Sequence, residues 1–143
     1  MSRACGIDLG DQWVGIALSD PSMILARPHE AVAREALFAY LKVFFAEHEI
    51  SVVIVGLPRT MRGTESDQTR SVRETFEQLK TTFEGMSWML WDERLSSKRA
   101  ESICSKRTLA HGSARDRESE KNRAQACAAA FILDSYLSSR SFC

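Results

Sequence analysis

An acidic residue stands inside the first apolar segment of the chain. Asp8 is the middle residue of Gly6–Gly10, which reads G-I-D-L-G. In a strand it would lie on the face opposite Ile7 and Leu9, because successive side chains point to opposite faces. A charge in such a segment is costly to bury unless a metal, a partner or hydrogen bonds compensate it. Ligands of open α/β sheets bind near the carboxyl ends of strands. Asp8 is therefore a candidate ligand, and a hydrogen-bonded structural aspartate is the alternative.

Two further acids follow a later apolar segment. Asp92 and Glu93 come directly after Ser87–Trp91, and Arg94 follows them. Carboxylates that converge from separate strand ends suit a divalent Mg²⁺ or Mn²⁺ ion, because hard cations prefer oxygen ligands. Neighbouring residues of a strand point to opposite faces, so one acid can share a metal with Asp8 while the other pairs with Arg94. A solvated strand end is the alternative.

A third candidate segment is the loop that follows another apolar strand, Val55–Gly63, which contains Arg59 and Arg62. Backbone N–H groups and guanidinium groups in such a loop can bind phosphate. The segment lacks the glycine and lysine spacing of a P-loop. Simple solvation of both arginines is the alternative.

Basic residues are also concentrated in the C-terminal third of the chain. Acids are interleaved with them, so a mixed solvated surface competes with a nucleic-acid surface as the explanation. These basic residues are Lys98, Arg99, Lys106, Arg107, Arg115, Arg117, Lys121 and Arg123.

The composition of the chain limits the functions that these candidate residues can have. The 143 residues have a formal net charge of zero, so any basic surface must come from local segregation of charge. We expect one domain over residues 1–143, with its core at about residues 3–138. The apolar stretches are far shorter than the about 20 residues that span a bilayer, which predicts no membrane association. Cys5 and Cys127 lie in apolar patterns, which predicts buried thiols, and the N-terminus lacks a signal pattern. Together these features predict a cytoplasmic location.

The elements that must position the candidate residues follow from the periodicity of apolar residues. Period-two and β-branched segments predict strands over residues 4–9, 13–19, part of 24–32, 51–56 and 87–91. Helical spacing predicts helices over residues 34–49, 64–85, 96–105 and about 120–137. Residues 108–118 are dense in charge and without periodicity, which predicts a mobile loop. The order predicts an α/β protein whose mixed sheet is flanked by helices. The predicted packing face of the last helix is Ala124, Cys127, Ala128, Phe131 and Ser135.

Three segments taken together resemble one known family. They are G-I-D-L-G-D-Q-W-V-G-I-A-L-S-D (residues 6–20), V-I-V-G-L-P-R-T-M-R-G-T-E (residues 53–65) and D-E-R-L-S-S-K-R-A (residues 92–100). In this order they resemble the YqgF (RuvX) family of pre-16S rRNA nucleases, also called Holliday-junction resolvase-like proteins. The similarity runs from about Gly6 to Leu137. It implies a single domain of RNase H-like fold, with a mixed β-sheet flanked by helices.

The resemblance implies a nuclease that uses Mg²⁺ or Mn²⁺ to hydrolyse phosphodiester bonds in structured nucleic acid. Asp8 would be the first metal-binding acid and Glu93 the second, with Asp92 the less favoured choice for that role. The implied contacts to nucleic acid are Arg59, Arg62, Arg94 and Lys98. The implied substrate is precursor 16S rRNA, cut at its 5′ end in ribosome biogenesis, and branched DNA is the alternative. A monomer and a homodimer both fit the sequence.

The chain departs from the family pattern at two places. Arg62 stands where the family loop usually carries an acid, which makes the loop more basic. The last helix of the family begins with an aspartate before a small-residue pattern, and aligning Ala128–Leu133 with that pattern puts Gln125 at the aspartate position. Gln125 can offer a metal a neutral oxygen but no charge. A catalytically weak or inactive nucleic-acid-binding module of the same fold is therefore a second hypothesis. A third, an ATPase-like phosphate binder, is disfavoured by the chain length.

Overall fold

The computed structural model describes residues 2–10, 12–57, 67–92 and 114–140, with the side chains of residues 67, 68, 92 and 114–121 excluded from the description. The strands are β1 (Arg3–Leu9), β2 (Trp13–Ser19), β3 (Ala26–Ala33), β4 (Ile50–Leu57) and β5 (Ser87–Asp92). The helices are a 3₁₀ turn (Arg34–Ala36), α1 (Leu37–Glu47), α2 (Asp67–Thr82) and α3 (Ala114–Arg140).

The strands form one mixed sheet in the order β3-β2-β1-β4-β5. The first three strands are antiparallel neighbours, with Ile7 of β1 opposite Ile16 of β2. Strands β4 and β5 are added in parallel, and Val55 of β4 pairs with Ile7. This arrangement confirms the predicted mixed sheet. Pro28 lies on the edge strand β3, opposite a register shift between Ile16 and Ala17, as its missing N–H requires.

The core lies on both faces of the sheet. Strand β4 is rich in β-branched residues, as is typical of a strand covered on both faces. Val53 and Val55 face α1 and α2, whereas Ile54 faces α3. The side chains of β1 also alternate between the two faces of the sheet, so Ile7 faces α1 and α2 and Ala4 faces α3. Helix α2 contributes Val72, Phe76 and Leu79 to this core, and Phe83 packs against it.

Helix α3 lies directly on the backbone of the β1–β2 hairpin. A Cβ atom added to Gly6 would lie 2.6 Å from the carbonyl oxygen of Ala129 and 2.8 Å from Cβ of Leu133. A Cβ atom added to Gly15 would overlap the backbone carbonyl of Gln125. Any side chain at these two glycines would therefore push the helix away from the sheet.

Two expectations for the last helix are wrong. Residues 114–118 were expected in a mobile loop, but α3 already begins at Ala114. Arginine, glutamate and alanine are good helix formers, so dense charge without apolar periodicity does not by itself indicate a loop. The packing face is also shifted, because Ala124 is exposed whereas Ala126 and Ala129 are buried. The helix expected over residues 96–105 lies outside the described residues.

The two cysteines for which the sequence predicts buried thiols, Cys5 and Cys127, differ in redox state in the structure. Cys5 is a free, buried cysteine, as expected. Cys127 is disulfide-bonded, so the thiol expectation is wrong for this residue. Apolar surroundings indicate burial of sulfur but do not report its redox state. Within the described ranges, no helix is long and apolar enough to cross a membrane.

Substituting Gly15 tests the close contact of α3 with the hairpin. Gly15→Ala is expected to lower the free energy of unfolding by about 1–3 kcal/mol, because a helix backbone must move to admit the methyl group. Urea unfolding of the two proteins measures the difference. Gly85→Ala adds the same group with no atom within 4 Å but at a φ of 98°, so it reports backbone strain alone. A Gly15→Ala variant as stable as the wild type would contradict the contact.

Candidate active site

Asp8 lies on the face of the sheet that α3 covers. Gly6 and Gly10 precede and follow it by two residues, and both lie against α3. Alternate residues of a strand share a face, so Asp8 faces α3 between these two contacts. Its side chain is half-buried. The acid predicted from the G-I-D-L-G segment is therefore directed at the helix that carries Gln125.

Gln125 is next to the end of β1. A Cβ atom added to Gly10 would lie 3.2 Å from Nε2 of Gln125. The other end of the same amide, Oε1, is buried and accepts no hydrogen bond from the described part of the chain. A buried acceptor without a donor is destabilising, so such an atom in a native protein needs an explanation. A bound cation or an ordered water would satisfy it.

Asn122 has the same property and was not singled out by the sequence. It lies three residues before Gln125, one helical turn away on the same face of α3. Its Oδ1 atom is also buried and accepts no hydrogen bond within the described ranges. One feature of the sequence could have identified Asn122: it and Gln125 are two amide residues three positions apart in a predicted helix. The structure adds what the spacing does not report: both oxygens are buried, and neither accepts a hydrogen bond from a described residue.

The ends of the parallel strands meet at the edge of the sheet where Asp8 lies. Ile7 pairs with Val55, so Leu9 and Leu57 end their strands at about the same level. Asp92, the last residue of β5, pairs with Leu57. The predicted convergence of the ends of β1 and β5 at one edge is confirmed for the backbone. The side chain of Asp92 is not described, and Arg59, Arg62, Glu93, Arg94 and Lys98 lie outside the described residues.

Trp91 shows which face of β5 is turned towards α3. Its indole Nε1 donates a hydrogen bond of 3.0 Å to Oγ of Ser135, and its ring lies edge-on to that of Tyr136 at 5.8 Å between centroids. Both partners belong to α3. The helix is therefore anchored to the last strand as well as to the hairpin, which holds Gln125 in register with the end of β1.

The chemistry available here is that of oxygen ligands. The described residues contain no group of three or more histidine, cysteine, aspartate or glutamate side chains able to hold a metal. What they contain is one carboxylate, Asp8, on the face that also carries the buried amide oxygens of Asn122 and Gln125. Cys5, three residues from Asp8, offers no nucleophile, because complete burial raises the pKa of its thiol and keeps it protonated. This oxygen set suits a hard divalent cation.

Comparison with known proteins places the chain in a family. A family model described as RuvX, Holliday junction resolvase, matches residues 2–139. A protein of Rubrobacter xylanophilus is 37% identical over 137 residues, which cover 94% of this chain and 91% of that protein. A protein of Chlorobaculum tepidum is 34% identical over 139 residues, which cover 97% of this chain and 95% of that protein. Both are named "putative pre-16S rRNA nuclease".

Solved structures show a similar fold. Thermus thermophilus RuvC in complex with a Holliday junction substrate has a TM-score of 0.58 at 13% identity, with 99% of this chain and 96% of that chain covered. Fowlpox virus resolvase in complex with Holliday junction DNA has a TM-score of 0.54 at 11% identity, with 96% and 98% covered. At these identities the similarity concerns the fold alone. It confirms the RNase H-like fold that the sequence resemblance implied.

Replacing Gln125 by aspartate tests whether its position belongs to a cation site. Gln125→Asp is expected to raise the affinity for Mn²⁺ by at least about tenfold, since attraction between unit charges at contact distance exceeds about 1.4 kcal/mol near a protein surface. Without metal the variant is expected to unfold at a lower temperature, because two carboxylates then repel each other. Thermal unfolding with and without Mn²⁺, together with calorimetric titration, measures both effects.

The matched control is Gln78→Asp, which makes the same change at an exposed position of α2. It is expected to change neither the Mn²⁺ affinity nor the metal-dependent rise in melting temperature. Equal behaviour of the two variants would remove Gln125 from the cation site.

Proposed function

This chain belongs to the RuvX family, and on that premise we propose that it is a nuclease that hydrolyses phosphodiester bonds in structured nucleic acid. The observation that carries the proposal is that Asp8 faces α3, on which two buried amide oxygens accept no hydrogen bond from the described residues. An oxygen-lined position at the carboxyl end of a central strand is where an α/β sheet binds ligands. It is also suited to a divalent cation.

The proposed substrate is precursor 16S rRNA, with cleavage at its 5′ end in ribosome biogenesis. The name shared by relatives that cover nearly all of this chain supports that choice. The alternative substrate is a Holliday junction, which the description of the family and the similarly folded resolvases support. A cytoplasmic location and a single domain over residues 1–143 are part of the same proposal.

The proposed cofactor is Mg²⁺ or Mn²⁺, held by Asp8, Glu93 and Gln125, with Asn122 as a further oxygen ligand. Glu93 is proposed rather than Asp92 because it is the acid that the resemblance of the D-E-R segment to the family motif implies. When bound, such a cation polarises the scissile phosphate and lowers the pKa of an attacking water.

The residues of the chain are proposed to bind and orient the cation and the phosphates. Asp8 supplies negative charge at the end of the central strand, where it attracts and orients the cation. Gln125 and Asn122 contribute neutral oxygens, which complete the ligand set without adding repulsion. Arg59, Arg62, Arg94 and Lys98 are proposed to bind the phosphates on either side of the cleaved bond, because guanidinium groups match phosphate oxygens in geometry and charge.

A second candidate function is that of a binding module with little or no cleavage. The observation that favours it is the neutrality of the α3 ligands, since Asn122 and Gln125 carry amides rather than carboxylates. Cation affinity rises with the number of charged ligands. A site with fewer acids would bind nucleic acid through its arginines and hold a metal weakly.

Cleavage by wild type and Asp8→Asn distinguishes the two functions. Labelled precursor 16S rRNA and a four-way DNA junction are incubated with Mn²⁺ or Mg²⁺, and product formation is followed over time. We expect the wild type to cut and Asp8→Asn to lose at least about 10³-fold of the rate, because the variant lacks the charged oxygen ligand.

Glu74→Gln, an exposed acid on α2, serves as the control and should retain the wild-type rate. Full activity of Asp8→Asn would overturn the site assignment. Binding without cleavage by the wild type, followed by a gain of cleavage in Gln125→Asp, would favour the binding module.

Salt dependence tests the proposed role of the arginine loop. Arg59→Ala and Arg62→Ala are each expected to weaken junction binding and to reduce the slope of log K against log salt by about 0.9, the value for one lost phosphate contact with B-form DNA. Binding is measured by fluorescence anisotropy in EDTA, so that no cleavage occurs. Arg27→Ala, an exposed arginine on the edge strand β3, is the control. An unchanged slope in both loop variants would exclude the loop from the interface.

A further inference from the structure

Arg34 connects three parts of the chain around the end of β1. It is the first residue of the 3₁₀ turn that follows β3. Its Nη1 donates a hydrogen bond of 3.0 Å to the carbonyl oxygen of Gly10. Its Nη2 donates to Oγ of Ser71 at 2.9 Å and to Oγ1 of Thr75 at 3.0 Å, both on α2. One half-buried guanidinium group therefore joins the strand that bears Asp8 to a helix on the opposite face of the sheet from α3.

The turn between β1 and β2 depends on the same residue through its backbone. The N–H of Arg34 donates a hydrogen bond of 3.0 Å to the carbonyl oxygen of Gln12. The N–H of Gly10 donates one of 3.1 Å to the carbonyl oxygen of Trp13. Arg34 thus contacts two of the carbonyl groups at the turn, and Gly10, with its N–H and its carbonyl both engaged, cannot rotate without breaking one of these bonds.

The hydroxyl groups on α2 are oriented to receive the guanidinium. Thr75 donates its hydroxyl proton to the carbonyl oxygen of Ser71 at 2.9 Å, which leaves the lone pairs of Oγ1 to accept from Arg34. Ser71 and Thr75 are four residues apart, so both hydroxyl groups lie on one face of α2. Every hydrogen-bond acceptor of Arg34 among the described residues is neutral, and no carboxylate pairs with it there.

We propose that Arg34 is a positioning residue, whose guanidinium group holds the carboxyl end of β1, and with it Asp8, against α2. The planar fork allows one side chain to bind the strand carbonyl and the helix hydroxyl groups at once. A lysine has a single ammonium group at the end of a flexible chain and cannot reproduce both contacts. Gly10 is then held from α2 by Arg34 and from α3 by contact with Gln125. The catalytic consequence rests on the proposed nuclease function, whereas the structural consequence does not.

The test compares Arg34→Lys with wild type in two independent measurements. The first is amide hydrogen exchange of Gly10 by NMR, without metal and without nucleic acid. We expect about tenfold faster exchange at Gly10, with unchanged exchange in β4. The N–H of Gly10 is bonded to Trp13, and this bond opens more often once the carbonyl of Gly10 loses its bond to the charged group of Arg34. The second is cleavage of the four-way junction with Mn²⁺. We expect kcat to fall by about tenfold or more with KM changed less than about twofold, because a small misplacement of reacting groups lowers the rate of the chemical step.

Two further variants keep the result interpretable. Arg27→Lys makes the same substitution at an exposed site of β3 and should change neither measurement. Thr75→Val removes one acceptor of Arg34 while preserving shape, and should raise Gly10 exchange in the same direction if Arg34→Lys folds poorly.

Each remaining outcome decides the proposal. Unchanged exchange at Gly10 in both Arg34→Lys and Thr75→Val would overturn it whatever the activity. A uniform rise in exchange across the whole sheet would mean that Arg34 contributes to the global stability of the protein, and it would also overturn the proposal. A raised KM and a shallower salt dependence with unchanged kcat would make Arg34 a phosphate contact instead. Exchange at Gly10 could rise in Arg34→Lys while the wild type cleaves no substrate. This result would support the positioning of the strand and contradict the nuclease function.

Discussion

The close approach of α3 to the β1–β2 hairpin is the contact on which the candidate site depends. Two glycines, Gly6 and Gly15, leave no side chain between the helix backbone and the sheet. This contact sets the height of the helix above the strands and fixes which helical turn lies over which strand residue. Asp8 lies opposite Gly15 in the hairpin, and the backbone of Gln125 lies on Gly15, so both residues border this contact. Interiors are close-packed, so a displacement of the helix there changes the site as a whole.

The part of this site that the structure describes has few charges. A half-buried carboxylate faces amide oxygens, where a cluster of acids would repel itself when no cation is bound. In the proposed cation site, amide oxygens reduce that repulsion when no cation is bound, and they also reduce the attraction for a divalent cation. Arg34 adds rigidity on the other side of the sheet without an ion pair among the described residues, because its three acceptors are neutral. The end of β1 is held by steric contact with α3 and by hydrogen bonds towards α2.

Most secondary structure was predictable because its determinants are local. The alternation in β2 and the β-branched run of β4 predicted strands within a residue or two of their observed ends. The last helix was predicted too short, since its first residues lack apolar periodicity although their helix propensity is high. Its packing face was misplaced because alanine and cysteine are compatible with several faces of a helix. Side-chain size alone does not determine which of them meets a sheet.

The sequence by itself predicted that Asp8 lies near the end of an apolar strand, that Asp92 and Glu93 follow another, and that Gln125 is an amide where the family resemblance implies an acid. These are properties of strand alternation, apolar periodicity and residue type. Only the tertiary structure decided that Asn122, like Gln125, has a buried oxygen that accepts no hydrogen bond from the described residues, and that Arg34 binds Gly10 and α2 together. Hydrogen bonding and burial of these residues depend on partners 24 or 37 positions away, or on how closely a helix packs. No pattern of neighbouring residues specifies such distances.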